Sequence, residues 1–452
     1  MTEAAQLSFT APIAVQSIDE SQYDAQLSKK LTQLRSSLNE LNSLAGAMPD
    51  IEVHESAKKH SVLGAPCSIR IHSFPVGSEL MNDLMVAVLA EANTSPIIRE
   101  RLFQVNFHTA LSGDCMVTLV YHKQLDDVWK EAALSLRAKL GKLPATLGHT
   151  PQIIGRSRKQ KVMLDRDWVV ERLQVNDKEY AYRQVEGSFS QPNAGVCQHM
   201  LAWAQKVTTP GAYPEASSAP SLLGQTAKAP ATRPPPTRAT AAAPGDTTHT
   251  SQQGQPAAAS ALQASSPTGV VDTVADLGNQ PEAVAGAAQG CGSPARDLLE
   301  LYCGNGNFSI PLAQNFRRVV ATELSKTSVE AAQHNITLNG VRNMFVARMS
   351  SEEFSEAWRT RARKQRLAGL GDWDSLALHT VLVDPPRAGL DPETVQMVSQ
   401  FQRIVYISCN PETLIANLKE LLKTHRMLSL AAFDQFPYTH HLECGVYLEK
   451  KN

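Results

Sequence analysis

The sequence has few of the features that mark secreted, metal-binding or membrane proteins. Its seven cysteines are odd in number and scattered without a CxxC pair, which argues against a disulfide framework or a zinc site. No run approaches the roughly 18 apolar residues of a membrane span. The stretch MTEAAQLSFTAPIAV also lacks the basic residues that open a secretory signal. We therefore expect a cytoplasmic protein with no membrane partner and no bound metal.

An excess of charge of either sign is also absent. Lys and Arg number 43 against 44 Asp and Glu, so the formal net charge is -1. This balance argues against binding of a polyanion through bulk charge, but it leaves room for a local basic face. The 452 residues are 42% hydrophobic, which suffices for two or three domains with buried cores.

Aromatic residues are nearly missing from residues 208–295, where Tyr213 is the only one. Ala, Pro, Gly, Ser, Thr and Gln dominate this stretch, as in RPPPTRATAAAPG. Such a composition cannot bury enough apolar surface to offset the entropy lost on ordering. We predict that 208–295 is a disordered, low-complexity insertion.

The residues before the insertion predict a smaller domain of mixed type. Leucines at helical spacing predict an amphipathic helix over 22–46. Farther on, SELMNDLMVAVLAEA and LDDVWKEAALSLRAKLG indicate helices, CMVTLVYHK a strand, and TPQIIGRSRKQKVML a hairpin with a basic turn. We assign 1–172 to an N-terminal α+β domain and 173–207 to the start of the catalytic domain.

Residues 296–452 alternate short apolar strands with helices. The seven candidate strands are DLLELYCG, RVVATEL, MFVARM, TVLVDPP, RIVYISC, MLSLAAFDQF and CGVYLEK. This alternation predicts a doubly wound, mostly parallel sheet, and the short last connection predicts an antiparallel strand at its edge. That Rossmann-like, seven-stranded arrangement is typical of class I S-adenosylmethionine-dependent methyltransferases.

Two features predict an adenosine-type cofactor. In LLELYCGNGNFSIPLA a strand runs into a turn with Gly304 and Gly306 and then a helix, which lets backbone approach a ligand closely. Glu323 ends the next strand, where an acid can accept hydrogen bonds from both ribose hydroxyls. An ordinary tight turn and a helix-capping acid are the alternatives. The absence of the third glycine of the pyrophosphate motif favours S-adenosylmethionine over NAD.

The following two strands bring further polar residues to the same crevice. Asp384 ends the strand of TVLVDPPRAGLD, and Arg387 follows it. Cys409 ends the strand of YISCNPETL, just before a helix that begins near Pro411. Cys409 could be a buried filler, but a helix N-terminus next to it would lower the pKa of its thiol.

The stretch FDQFPYTHHLECGV adds a last polar group at the predicted hairpin. It contains Asp434, His440, His441 and Glu443. A metal site is one interpretation, but no further ligand has motif spacing. The other interpretation is that Glu443 is a base facing Cys409.

A thiol and a base beside a methyl donor suit one kind of acceptor. Oxygen and nitrogen acceptors attack a methyl group directly, whereas C5 of a pyrimidine is a poor nucleophile. A thiolate that adds at C6 makes C5 nucleophilic, and a base must then remove the C5 proton before the thiol leaves. Nucleophile, base and cofactor turn in one crevice fit this scheme.

At this point the motifs resemble a known family. LLELYCGNGNFS, VDPPRAGLD, ISCNPETL and FDQFPYTHHLECGV are similar to those of the RNA 5-methyluridine methyltransferases. Further similar stretches are QYDAQL, SFPVGSELMNDLM, LFQVNF, YHKQLDDVW, IIGRSRKQKV and YRQVEGSFSQPNAG. The resemblance covers nearly the whole chain outside 208–295. It is nearest to the branch that makes ribothymidine at position 54 in the T-loop of tRNA.

The resemblance implies roles for individual residues. Cys409 would be the nucleophile and Glu443 the proton acceptor. The S-adenosylmethionine contacts would be Gln191, Tyr302, Asn307, Glu323 and Asp384. Phe103 and His122 would engage the T-loop, whose uridine must be extruded and stacked on aromatic groups. Arg156, Arg158, Lys159 and Lys161 of the basic turn would contact phosphate, unless that turn is only a solvated hairpin tip.

Two departures from the family keep alternatives open. The segment before SFP is shorter than in the family and lacks a strand pair with an RNA-binding arginine, and 208–295 is inserted. The four-cysteine iron–sulfur motif of relatives that modify ribosomal RNA is not visible, which favours tRNA. The alternatives are a methyltransferase for ribosomal or transfer-messenger RNA, and a tRNA-binding folding factor with impaired catalysis.

Overall fold

The computed structural model describes residues 20–45, 48–56, 77–213, 296–437 and 439–452. Most of the predicted insertion, 214–295, lies outside the described residues. So does 57–76, which contains most of the segment found to be shorter than in the family.

The described helices and strands alternate along the chain. The strands are β1 (Ile51–His54), β2 (Leu102–Thr109), β3 (Cys115–Tyr121), β4 (Gln152–Ser157), β5 (Gln160–Met163), β6 (Trp168–Val175), β7 (Lys178–Val185), β8 (Asp297–Leu301), β9 (Arg318–Glu323), β10 (Met344–Arg348), β11 (Leu378–Val383), β12 (Arg403–Ser408), β13 (His425–Phe433) and β14 (Glu443–Lys450). The α-helices are α1 (Glu20–Asn39), α2 (Asn42–Ala45), α3 (Glu79–Thr94), α4 (Pro96–Arg99), α5 (Asp127–Leu140), α6 (Ala194–Thr208), α7 (Ser309–Leu312), α8 (Lys326–Leu338), α9 (Ser351–Thr360), α10 (Pro392–Val398) and α11 (Pro411–Thr424).

The large sheet contains eight strands in the order β1-β13-β14-β12-β11-β8-β9-β10. All seven strands predicted from the sequence are present, and β14 is antiparallel to both of its neighbours. Two details of the prediction were wrong. The antiparallel strand lies inside the sheet, between β12 and β13, and β1 adds an eighth strand that pairs in parallel with β13. Four residues containing Glu52 and His54 carry too little apolar pattern to reveal such a strand.

The first helices also lie on the large sheet, although the sequence analysis placed them in an N-terminal domain over 1–172. The predicted helix over 22–46 is α1 followed by the short α2. Leu34, Leu38 and Leu41 are buried in the same core as Leu418 and Leu421 of α11. Each fully buried leucine contributes about 1.5–3 kcal/mol, which explains why α1 packs on this surface.

A four-stranded sheet in the order β2-β3-β4-β5 forms the smaller α+β part. Strands β3 and β4 are parallel and joined through α5, while β4 and β5 form the predicted antiparallel hairpin. Trp129 of α5 and Leu84 of α3 are buried against this sheet. A separate hairpin of β6 and β7 packs with α6 on the large sheet, in a core that includes Trp203 and Phe433.

Candidate active site

The glycine turn after β8 has the backbone that the sequence analysis expected. Tyr302, Gly304 and Gly306 all have positive φ, at 63°, 56° and 84°. A Cβ on Gly306 would lie 3.0 Å from the side chain of Ile310, so glycine is required for both conformation and space. The turn therefore brings its backbone close to whatever occupies the crevice.

Glu323 at the end of β9 holds this turn. Its Oε2 accepts a hydrogen bond from the Gly304 N–H at 3.0 Å, and its Oε1 accepts from the Ser325 N–H at 2.7 Å. Each carboxylate oxygen has a second lone pair, so Glu323 can still accept from two ribose hydroxyls.

A cavity of about 520 Å³, counted with the open solvent at its mouth, lies between the glycine turn, β6, β7 and the start of α6. Gln191, Tyr302, Asn307 and Asp384 line it, which are four of the five predicted cofactor contacts. The fifth, Glu323, is connected to the lining through Gly304.

The charged side chains that line this cavity are all acidic. They are Glu171, Glu300 and Asp384, and none of the described lining residues is basic. Burial raises the pKa of Asp384 to about 7 and that of Glu171 to about 7, and it raises the pKa of Glu300 well above its usual value. A cationic ligand in the cavity would lower the pKa values of these carboxyl groups, because a positive charge favours their ionised forms.

Cys409 and Glu443 come together at the ends of two paired strands. Ser408 of β12 pairs with Cys444 of β14, so the next register position brings Cys409 beside Glu443. Asp384 belongs to the same group, because its charge acts on both side chains. The predicted nucleophile and the predicted base therefore lie next to each other in the crevice.

The thiol of Cys409 does not have the lowered pKa that the sequence analysis expected. Its pKa is raised, first by burial and then by the charges of Glu443 and Asp384, while Arg387 and a backbone hydrogen bond act in the opposite direction. Helix α11 does begin at Pro411, but the net effect of the surroundings on the pKa of Cys409 is an increase. These effects favour the neutral thiol of Cys409 over its thiolate.

Glu443 is nearly fully buried at the start of β14. Burial, together with the nearby Asp384, raises the pKa of its carboxyl to about 8. Such a shift suits a group that exchanges protons near neutral pH.

Arg387 ties the loop after β11 to the loop after β12. Its carbonyl oxygen accepts hydrogen bonds from Asn410 Nδ2 at 3.0 Å and from Thr413 Oγ1 at 3.2 Å. Its guanidinium donates to His441 Nδ1 at 3.1 Å. The loops that carry Asp384, Cys409 and the residues before Glu443 are thus connected to each other.

Sequence comparisons agree with this geometry. A sequence model of the family described as tRNA (Uracil-5-)-methyltransferase matches residues 64–212 and 283–451. The tRNA/tmRNA (uracil-C(5))-methyltransferase of Cellvibrio japonicus is 40% identical over 449 residues, which are 95% of this chain and 96% of the relative. The enzyme of the same name from Shewanella oneidensis is 39% identical over 453 residues, or 96% and 98%.

The chain belongs to the tRNA (uracil-5-)-methyltransferase family.

A solved structure extends the comparison to the fold. The crystal structure of Pyrococcus abyssi tRNA (uracil-54, C5)-methyltransferase in complex with S-adenosyl-L-homocysteine matches with a TM-score of 0.51 and 18% identity. The match covers 94% of this chain and 83% of the other. The predicted class I S-adenosylmethionine-dependent methyltransferase fold is confirmed.

The residues predicted to contact RNA lie on or beside the smaller sheet. Phe103 is 65% exposed and stacks on His122, with ring centroids 4.4 Å apart. Arg158 and Lys159 form the exposed tip between β4 and β5. Arg156 differs from the expectation, because Glu186 already pairs with its guanidinium.

Sequence reasoning missed several residues of the cavity. Glu171, Gln184, Cys197 and Glu300 all line it. Glu300 had a usable signal, since an acid within the apolar strand LLELY needs a partner, which is the Ser309 hydroxyl. Glu171 and Gln184 come from the β6–β7 hairpin, whose placement over the glycine turn is tertiary and leaves no local signal.

The part of the chain that the structure describes contains no group of three or more His, Cys, Asp or Glu side chains arranged for a metal ion. In the same residues, none of the helices combines the length and the apolar character needed to cross a membrane.

Proposed function

We propose that this chain transfers the methyl group of S-adenosylmethionine to C5 of uridine 54 in the T-loop of tRNA. The observation that carries the proposal is the adjacent position of Cys409 and Glu443 at the paired ends of β12 and β14. Both groups lie near Asp384, which lines the proposed cofactor cavity.

The first step uses Cys409. Its thiol loses a proton to solvent, and the sulfur then adds to C6 of the uracil, forming an S–C6 bond and moving the C5=C6 electron pair into an enolate. Arg387 is the cation whose charge favours the thiolate. The electron pair at C5 then forms the new bond to the methyl group, and the sulfonium of the donor becomes a neutral thioether.

The last step uses Glu443. Its carboxylate accepts the proton from C5, the C5=C6 bond forms again, and the Cys409 sulfur leaves as a thiolate. The products are 5-methyluridine in the RNA, S-adenosylhomocysteine and a protonated Glu443, and the Cys409 thiolate takes back a proton from solvent, so atoms and electrons balance.

The acidic cavity supports the choice of cofactor. S-adenosylmethionine carries a sulfonium and an ammonium, whereas S-adenosylhomocysteine lacks the sulfonium. We propose that Gln191, Tyr302, Asn307, Glu323 and Asp384 contact the cofactor, with both ribose hydroxyls on Glu323. Removal of the sulfonium charge during the reaction weakens the attraction to the carboxyl groups and favours product release.

The T-loop of tRNA is the proposed RNA site. The exposed Phe103–His122 stack provides a platform for an unstacked base, and Arg158 and Lys159 are free to contact phosphate. The similar protein from Pyrococcus abyssi is named for uracil 54. The names of the bacterial relatives add tmRNA as a second substrate. Either RNA would be met in the cytoplasm.

Transfer of a labelled methyl group tests the proposal. Purified protein should label unmodified tRNA, and replacing U54 by C should abolish the signal. The variant Cys409→Ala should be inactive, whereas Cys115→Ala, at a buried cysteine of the smaller sheet, should retain transfer. Binding of tRNA without transfer by the intact protein would favour the folding factor, and label outside position 54 would favour another RNA site.

A further inference from the structure

Helix α1 makes a buried ion pair with the loop between β13 and β14. Lys30 Nζ lies 2.6 Å from Asp434 Oδ1, and the two residues are only 7% and 1% exposed. They are 404 positions apart in the sequence. Lys30 also donates to the carbonyl oxygen of Phe436 at 3.1 Å. Burying two charges costs desolvation free energy unless the charges pair closely and their remaining hydrogen bonds are made. A buried ion pair between helix α1 and this loop therefore calls for an explanation.

The loop that Lys30 holds leads directly to Glu443. Phe433, the last residue of β13, pairs with Glu443, the first residue of β14, so the loop between them, described at 434–437 and 439–442, closes this hairpin. The Asp434 N–H also donates to the carbonyl oxygen of His54 at 2.9 Å. Lys30 thus binds one end of the loop, and Glu443 stands at the other.

The same loop is connected to the cofactor cavity through Gln435. Its Nε2 donates to Gln191 Oε1 at 3.2 Å, and its Oε1 accepts from the Asn193 N–H at 3.2 Å. Asn193 Nδ2 in turn donates to Ser56 Oγ at 3.1 Å, and the Ser56 N–H donates to the Tyr23 hydroxyl at 2.9 Å. Helix α1 therefore reaches the loop through two neighbouring residues, Asp434 and Gln435.

We propose that Lys30 is a positioning residue for the proton-removal step. Through Asp434 and Phe436 it fixes the loop that aims the carboxylate of Glu443 at C5 of the uracil. Cys409 directly follows β12, which β11 and β14 hold on both sides, so its position depends mainly on the sheet and less on this loop. The inference rests on the proposed function, and it separates the two halves of the reaction: Lys30 acts on release of the adduct and not on its formation.

The test compares the two half-reactions in Lys30→Met. This variant keeps an apolar side chain of similar length but leaves Asp434 without its cation. With tRNA that carries tritium at C5 of U54, we expect tritium release to slow about 10- to 100-fold, because small misplacements of a catalytic group have effects of this size. The KM values for tRNA and S-adenosylmethionine should stay within about twofold. The covalent protein–tRNA adduct should accumulate.

Two further variants separate positioning from stability. Lys206→Met removes a lysine from the exposed pair with Glu52, 2.9 Å apart, and should leave tritium release unchanged. The double change Lys30→Met with Asp434→Asn removes the uncompensated buried charge. It should recover the melting temperature lost in Lys30→Met while tritium release stays slow.

Three results would overturn the inference in a wild-type enzyme that is active. They are unchanged tritium release in Lys30→Met, equal slowing of adduct formation and release, and recovery of tritium release together with the melting temperature in the double variant. The proposed function itself has failed if the wild-type protein does not transfer methyl groups and the Glu443→Gln variant forms no adduct with tRNA.

Discussion

The ionisation of Glu443 should control how fast methylated uridine leaves Cys409. Burial and the nearby Asp384 raise the pKa of Glu443 to about 8. Only the carboxylate accepts a proton, so the release rate should rise with pH through this value and level off above it. The ionised fraction is about a tenth at pH 7 and about nine-tenths at pH 9, so the rate should change about tenfold.

The substitution Asp384→Asn tests the electrostatic part of this reasoning. It removes a negative charge that opposes ionisation of Glu443, so the midpoint of the pH profile should move to lower pH. Burial, the larger cause of the shift, remains and should keep the midpoint above that of an ordinary glutamate. Asp177→Asn, in the exposed turn between β6 and β7, is the matched control and should not move it.

A pH jump isolates the release step from adduct formation. The adduct is formed with saturating S-adenosylmethionine and C5-tritiated tRNA at about pH 6, where Glu443 is mostly protonated. It is then transferred to buffers of increasing pH, and tritium release is followed. A release rate that does not change with pH would refute the assignment of Glu443. A midpoint that rises in Asp384→Asn would refute its coupling to Asp384.

Three further predictions concern the cavity and the RNA surface. The folded-state pKa of Glu171, about 7, lies above that of an unfolded glutamate, so its ionisation costs stability as pH rises. Glu171→Gln should therefore stabilise the protein at pH 8 by about 1–3 kcal/mol in urea unfolding. Phe103→Ala should weaken tRNA binding about 5- to 100-fold in filter binding, since stacking contributes about 1–3 kcal/mol, whereas Phe103→Tyr should not. Replacing Arg158 and Lys159 by Ala should make the plot of log affinity against log salt concentration less steep, by about one to two phosphate contacts. An unchanged slope would show that these residues do not contact phosphate.

Strand patterns and chemically distinctive loops allowed much of the fold and site to be predicted. The strands from β8 to β14 are apolar runs with clear ends, and parallel strands bring the residues after them to one edge. Tyr302, Asp384 and Cys409 could therefore be assigned to one crevice before the fold was known. Strand β1 could not be recognised, because its pairing with β13 depends on tertiary contacts.

Charge interactions across the site were harder to predict from the sequence than the strands and loops. A helix N-terminus beside Cys409 is visible in the sequence, but the opposing burial and carboxyl groups are not. The pairing of Arg156 with Glu186 also depends on two hairpins that only the folded structure brings together. The ion pair of Lys30 with Asp434 was equally hidden, because nothing in the sequence around either residue indicates that the two are partners.

The most direct measurement of the central claim is the covalent link between Cys409 and the uridine. Glu443→Gln keeps the shape of the side chain but cannot remove the C5 proton, so the account predicts an adduct with tRNA that survives denaturation. Mass spectrometry of the digested adduct should find 5-methylated uracil attached to the peptide that contains Cys409. An absence of adduct, or an adduct on another residue that persists in Cys409→Ala, would contradict the account.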